Sequence, residues 1–147
     1  MRIAYFDCFA WISGDMALGA LIDAGVELST LREELSKLPV SGYRLEAQTV
    51  KRGGLRGTKV EVHVDEQVQP PRRYVDIVAM ITESTLAPAV QQGALAIFRR
   101  LGEVEAHLHD EQLDTIHFHE VGAVDSIVDV VGAVIGLHTL HVDLVMA

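Results

Sequence analysis

Val121-Gly122-Ala123-Val124-Asp125-Ser126-Ile127-Val128-Asp129-Val130-Val131-Gly132-Ala133-Val134-Ile135-Gly136-Leu137 is the most hydrophobic stretch of the chain, broken only by Asp125 and Asp129. At ~100° per residue, Gly122, Asp125, Asp129, Gly132 and Gly136 fall in one sector of about 80°, flanked by Ser126 and Ala133. Aliphatic side chains fill the rest of the circumference. Such a helix is expected to be buried, and the stretch is shorter than the ~20 apolar residues needed to cross a bilayer. It therefore reads as a central helix of a water-soluble domain, with no membrane as partner.

Carboxylates on a buried helix need a cation, a hydrogen-bond donor or a proton, and a glycine stripe lets something approach closely. The same residues have a plainer reading. In it Asp125 caps the helix, Asp129 meets a basic side chain, and the glycines allow tight helix packing.

Immediately upstream lies Thr115-Ile116-His117-Phe118-His119-Glu120. If Thr115 to His119 is extended, His117 and His119 project from one face while Ile116 and Phe118 pack on the other. Imidazoles at that spacing can hold zinc, nickel, copper or iron, and a carboxylate such as Glu120 adds manganese. An ordinary exposed strand explains the pair equally simply.

Farther out, strands alternate with helices. A strand is expected over Arg2 to Phe9, a helix over Gly14 to Ala24 capped by Ser13 and ended by Gly25, and a helix over Thr30 to Leu38 with Thr30 and Glu33 as a capping box. Strands over Tyr43 to Lys51 and Thr58 to Asp65 flank the turn Gly53 to Gly57. In the second of them Val60, Val62 and Val64 alternate with Lys59, Glu61, His63 and Asp65, leaving one face wet. Gln67 to Arg73 reads as a loop, and helices follow over Tyr74 to Glu83 and Pro88 to His107. Val142 to Ala147 reads as a further buried strand. The order implies an α/β fold, a partly parallel sheet flanked by helices with one antiparallel β-hairpin.

A second polar cluster follows the first strand: Asp7-Cys8-Phe9-Ala10-Trp11-Ile12-Ser13-Gly14-Asp15. A carboxylate at a strand end, then a turn into a helix N-terminus, is where α/β proteins bind phosphates. Asp15 in the first helical turn also simply stabilises the helix dipole. Cys8 reads as a small core residue.

Composition narrows the function. A net charge of −9, from 12 basic and 21 acidic residues without a basic run, argues against nucleic acid as a partner. The single cysteine excludes an internal disulfide and a Cys-x-x-Cys knuckle, which suits a reducing, cytoplasmic setting. No export signal is read at the N-terminus, and 147 residues suffice for one domain.

The runs Phe6-Asp7-Cys8-Phe9, Ile12-Ser13-Gly14-Asp15-Met16 and His117 to Asp129, with the Gly53 to Thr58 turn and Arg73-Tyr74-x-Asp76-Ile77, resemble the LarC family. The resemblance covers essentially the whole chain. It implies that residues 1–147 are the N-terminal domain of a longer protein, with a C-terminal part as partner. It further implies a CTP-dependent nickel chelatase of the lyase class. That activity inserts Ni2+ into pyridinium-3,5-bisthiocarboxylic acid mononucleotide, with Mn2+ or Mg2+ accompanying CTP, to complete the nickel-pincer cofactor of lactate racemase.

The polar residues that match the family are Asp7, Ser13, Asp15, His109, His117, His119, Glu120, Asp125 and Asp129. Among these, His117, His119, Glu120, Asp125, Asp129, Asp7 and His109 are expected as metal ligands. Ser13 and Gly14, joined by Gly122, are expected to hold the nucleotide, and Asp15 and Asp125 to act in catalysis. A homo-oligomer is compatible with this reading. Trp11 and Asp110 stand where the family usually has glycine, and the family's histidine-rich insert is replaced by Gln67 to Pro71. The rival functions are a non-catalytic nickel carrier that works only with its C-terminal part, and a metal-dependent α/β phosphohydrolase built on Asp7 and Asp15.

Overall fold

The computed structural model describes residues 1–9, 11–65, 72–118 and 121–147. Gln67 to Pro71 of the loop expected over Gln67 to Arg73, and His119 and Glu120 of the expected metal set, lie outside the described residues. The elements run β1 (Ile3–Tyr5), α1 (Gly14–Asp23), α2 (Leu28–Leu35), β2 (Tyr43–Arg52), β3 (Leu55–Val64), α3 (Tyr74–Thr82), α4 (Pro88–His109), α5 (Val124–Thr139) and β4 (Leu144–Met146). This is an α/β chain. The expected parallel pairing joins β1 to β4, and the expected hairpin joins β2 to β3, as two separate sheets.

Helix α5 is the axis of the core, with Ile127, Val128, Val131 and Ile135 essentially inaccessible to solvent. Burying each such side chain contributes about 1.5–3 kcal/mol. It packs against α1, α2, α4 and β3. Its glycines serve that packing: a Cβ on Gly132 would come within 2.9 Å of Leu18, and one on Gly136 within 2.8 Å of Leu21, both on α1. The plainer reading of the C-terminal half of the stripe is therefore the observed one. The helix begins at Val124 rather than Val121, because Gly122 is wedged against Phe118 and the Arg72 carbonyl.

Helix α1 ends as its glycine predicts. Gly25 takes φ +114, its N–H reaches the Ile22 carbonyl at 3.0 Å, and the Val26 N–H reaches the Leu21 carbonyl at 3.1 Å. This is a Schellman ending closed by the apolar pair Val26 and Leu21. Because that turn already redirects the chain, α2 starts at Leu28 with Glu27 at its cap. Thr30 is then inside the helix, and the expected Thr30–Glu33 capping box does not form.

The hairpin turn is tighter than expected. Gly53 and Gly54 alone supply the two positive φ angles, 55° and 85°, of a two-residue turn whose twist suits the flanking strands. Pairing therefore resumes at Leu55, so Arg56 and Gly57 belong to β3 opposite Lys51 and Val50. One hairpin face buries Leu45 and Val60 against the helices. Contact with α1 is close enough that a Cβ on Gly19 would lie 2.3 Å from the Thr58 carbonyl oxygen. Asp23, at the end of α1, accepts from the Thr58 N–H at 2.8 Å and its hydroxyl at 2.7 Å.

Two expected strands differ more. Only Ile3–Tyr5 of the first run is a strand, since its partner β4 spans three residues and pairing stops at Met146. At Thr115 to Phe118, the described part of the expected strand Thr115 to His119, the structure has a turn and a single bridge from His117 to Arg73. The described part of that segment has one short partner, not a ladder. The inside-outside pattern holds nonetheless: Ile116 and Phe118 are buried and His117 is exposed.

Candidate functional site

Ser13 occupies the cap position of α1 in extended conformation, with φ −103° and ψ 168°. Its hydroxyl does not cap the helix; it donates to Asp15 Oδ1. The next residue has to be glycine, because a Cβ on Gly14 would sit 2.3 Å from Asp129 Oδ2. The start of α1 and the first half of α5 thus meet at Gly14, and the Asp129 carboxylate lies across the helix start.

Asp129 is the most perturbed acid in the described residues. Its Oδ1 is buried without a hydrogen-bond partner. Its pKa is pushed up to about 7, first by burial and then by the like charges of Asp15 and Asp125. A carboxyl in that state holds a proton about half the time at neutral pH and gives it up to any cation that enters. Asp125, expected to share this burial, is exposed, and its Oδ1 accepts from the Ser126 N–H at 2.8 Å. The later helix start places it in the first turn, at the rim.

Asp15, Asp125 and Asp129 open on a cleft of about 320 Å³ whose other wall is Lys59, Glu61 and Val62 of β3. Lys59 Nζ lies 2.6 Å from Glu61 Oε1, and Gln48 donates to Glu61 Oε2 at 3.0 Å. The hydrogen bond from Lys59 leads in holding the Glu61 carboxyl below its ordinary range. Lys59 and Glu61 were legible only as members of the wet strand face. Nothing local in the sequence says that this face turns toward Asp129.

A second hollow of about 270 Å³ adjoins the first through Asp15 and Lys59, and is bordered by Trp11, Ser13, Met16 and Arg52. Trp11 is 73% exposed and takes φ +96°, a left-handed value that glycine adopts without strain. Asp110 takes φ +53° at the end of α4. Both departures from the family pattern thus fall where the backbone itself favours glycine.

The remaining expected ligands stand apart. Asp7 is exposed and borders a groove with Tyr5, Cys8, Trp11 and Met16. Cys8, read as a core residue, is exposed as well, because the chain leaves the sheet after Phe6. His109 ends α4 with Nε2 3.5 Å from Glu105 Oε1. His117 lies beside Asp76, whose carboxyl is held low chiefly by hydrogen bonds from Arg73 and to a smaller degree by His117. Among the described residues, no three His, Cys, Asp or Glu side chains gather closely enough to hold one metal ion.

The sequence profile of the family described as nickel insertion protein matches residues 4–147. The chain belongs to the nickel insertion protein family. A relative from Geobacter sp. strain M21, named for nickel insertion, is 54% identical over 147 residues, covering 100% of this chain and 38% of the relative. A relative from Desulfitobacterium hafniense strain DCB-2, named pyridinium-3,5-bisthiocarboxylic acid mononucleotide nickel insertion protein, is 49% identical over 147 residues, covering 100% of this chain and 36% of its own length. One from Thermomicrobium roseum is 54% identical over 144 residues, which is 97% of this chain and 35% of the relative. The chain therefore spans well under half the length of these members of the family. No solved structure matches it. No helix among the described residues is long and apolar enough to cross a membrane.

Proposed function

We propose that this chain is the cation- and nucleotide-holding part of a protein that inserts nickel into pyridinium-3,5-bisthiocarboxylic acid mononucleotide. The reaction would use CTP with Mn2+ or Mg2+ in the cytoplasm, and would serve the nickel-pincer cofactor of lactate racemase. The observation that carries the reading is Asp129: a carboxylate with one buried unpaired oxygen, titrating near neutrality, between two further acids. Nickel is the cargo here.

Asp129 releases its proton as a cation enters, and Asp15 and Asp125 supply the neighbouring negative charge at the cleft mouth. Ser13 and Gly14 at the α1 start, with Lys59 and Arg52 across the adjoining hollow, suit the phosphate of a nucleotide. Gly122 is left out of that set, since it is buried against Phe118 and Arg72. His117, His119, Glu120, Asp7 and His109 complete the proposed donors for the metal in transit. Imidazole suits nickel, whereas the carboxylate cleft suits the harder ion that accompanies a triphosphate.

Calorimetric titration with nickel, and with manganese in the presence of CTP, tests the division of labour. Replacing both His117 and His119 by alanine is expected to weaken nickel binding while sparing manganese, and Asp129→Asn is expected to do the reverse. Unchanged nickel binding in the double variant would remove the histidines from the proposal. A second reading, a carrier that acts only with the rest of the protein, is favoured by the 38% share of the Geobacter relative that this chain covers. CTP turnover absent from this chain and present in the full-length relative would select it.

A further inference from the structure

Leu144, Val145 and Met146 are consecutive residues of a strand, so their side chains alternate between the two faces of the sheet, and all are apolar. A strand apolar on both faces is the pattern of a sheet covered on both sides, and parallel sheets are found almost only in that state. Yet β4 is 46–48% exposed at each of these residues, and on β1 Ile3 is 44% and Tyr5 67% exposed. Among the described residues β1 and β4 pair only with each other, leaving an outer edge on each. A two-stranded ribbon is marginal by itself in water.

Beneath the ribbon, facing α1, lies a hollow of about 470 Å³ lined by Ile3, Tyr5, Ala20, Ala24, Leu140 and Val142 among others. Through Ile3 and Tyr5 the ribbon continues into this hollow, whose other lining side chains are apolar except Arg2. Its ends are pinned by polar contacts that hold the strands in register: the Arg2 N–H donates to Asp143 Oδ2 at 2.6 Å, and the Phe6 N–H donates to the Met146 carbonyl at 2.8 Å.

We propose that this surface is the seat of the polypeptide that the longer family members carry beyond the part matched here. That polypeptide adds a strand to an open edge of the β1–β4 sheet and covers its apolar faces. Two observations select this occupant. The Geobacter relative matches the whole of this chain, which accounts for 38% of it, so the relative carries a larger body of polypeptide outside the matched part. A second copy of the chain would bring its own net charge of −9 to the contact, which opposes self-association.

Hydrogen exchange tests the proposal on two proteins: this chain, and the full-length Geobacter relative with this chain substituted for its matching 38%. Amides of Ile3–Tyr5 and Leu144–Met146 are expected to exchange ~100-fold more slowly in the long protein. Tyr5→Asp with Val145→Asp is expected to restore fast exchange there, while leaving the melting temperature of the 147-residue chain unchanged. The unmodified relative, measured at the matching positions, guards against a chimera that fails to fold. Equal exchange in the short and long proteins overturns the proposal. So does a 147-residue chain that sediments as a dimer with these amides protected, which would give the surface to a second copy. Neither outcome depends on nickel or CTP, so failure here is distinguishable from failure of the proposed activity.

Discussion

The two sheets among the described residues differ in composition, and the more apolar of them is the less covered. The hairpin of β2 and β3 is ten residues on each side, closed by a local turn, with Leu45 and Val60 buried and its polar face forming a wall of the acidic cleft. The ribbon of β1 and β4 is three residues on each side, joins opposite ends of the sequence, and leaves its apolar side chains in water. One is completed by neighbours along the chain. The other gathers its strands from the two ends and finds no cover among the described residues. Apolar content alone therefore does not show which sheet is finished; what packs on each face does.

The largest effect that would sharpen this contrast is a paired truncation. Leu45→Ala is expected to cost about 2–5 kcal/mol in denaturant unfolding, and Leu144→Ala less than about 0.5 kcal/mol. Comparable losses at both positions would mean that the ribbon is as well packed as the hairpin. Next comes the turn. Gly54→Ala puts a Cβ at φ +85° and is expected to destabilise by about 1–2 kcal/mol.

The pH dependence separates two helix carboxylates that lie beside the hairpin, Asp129 across the cleft from it and Asp23 bonded to it. Asp129 has a folded pKa near 7, above its unfolded value, so its contribution is fully present below pH ~4 and is lost as pH rises through 7. Asp23 has the opposite sign. Hydrogen bonds from the Thr58 hydroxyl and N–H hold its carboxyl low, so its contribution is present at neutral pH and fades in acid. Asp129→Asn is therefore expected to raise stability at pH 8 by about 1–2 kcal/mol, less than the full worth of the shift because solvent reaches part of the carboxylate. At pH 4 it is expected to have little effect. Thermal melts at the two pH values check the difference, and a destabilised variant at pH 8 would show that the buried oxygen has a partner.

The smallest expected effect is at the turn after β1. Trp11→Gly removes a left-handed non-glycine residue and is expected to stabilise by up to about 1 kcal/mol.

Much of the architecture was legible because its signals are local. Gly25 after α1, Pro88 at the start of α4 and the glycine pair before Leu55 each force one backbone geometry, and the elements form within a few residues of where those signals stand. What was illegible depended on distant partners. Thr115 to His119 alternates like a strand, but the described part of it forms only one bridge, His117 to Arg73, closed by hydrogen bonds with Arg72 and Tyr74. Asp125 and Asp129 share a helical sector, yet four residues of separation at a helix start put one at the rim and the other underneath. Lys59 and Glu61 enter the site because the hairpin packs on α1, a placement no pattern within β3 encodes. The exposure of Leu144 to Met146 is the sharpest disagreement, since the residues specify a buried strand.

Trp11 is the only tryptophan in the chain, and it stands in the open beside the hollow that adjoins the acidic cleft. All indole fluorescence of this protein therefore originates from one ring at the rim of its candidate nucleotide pocket. A visitor that stacks on that ring, or strips water from it, announces itself in the emission spectrum without any label.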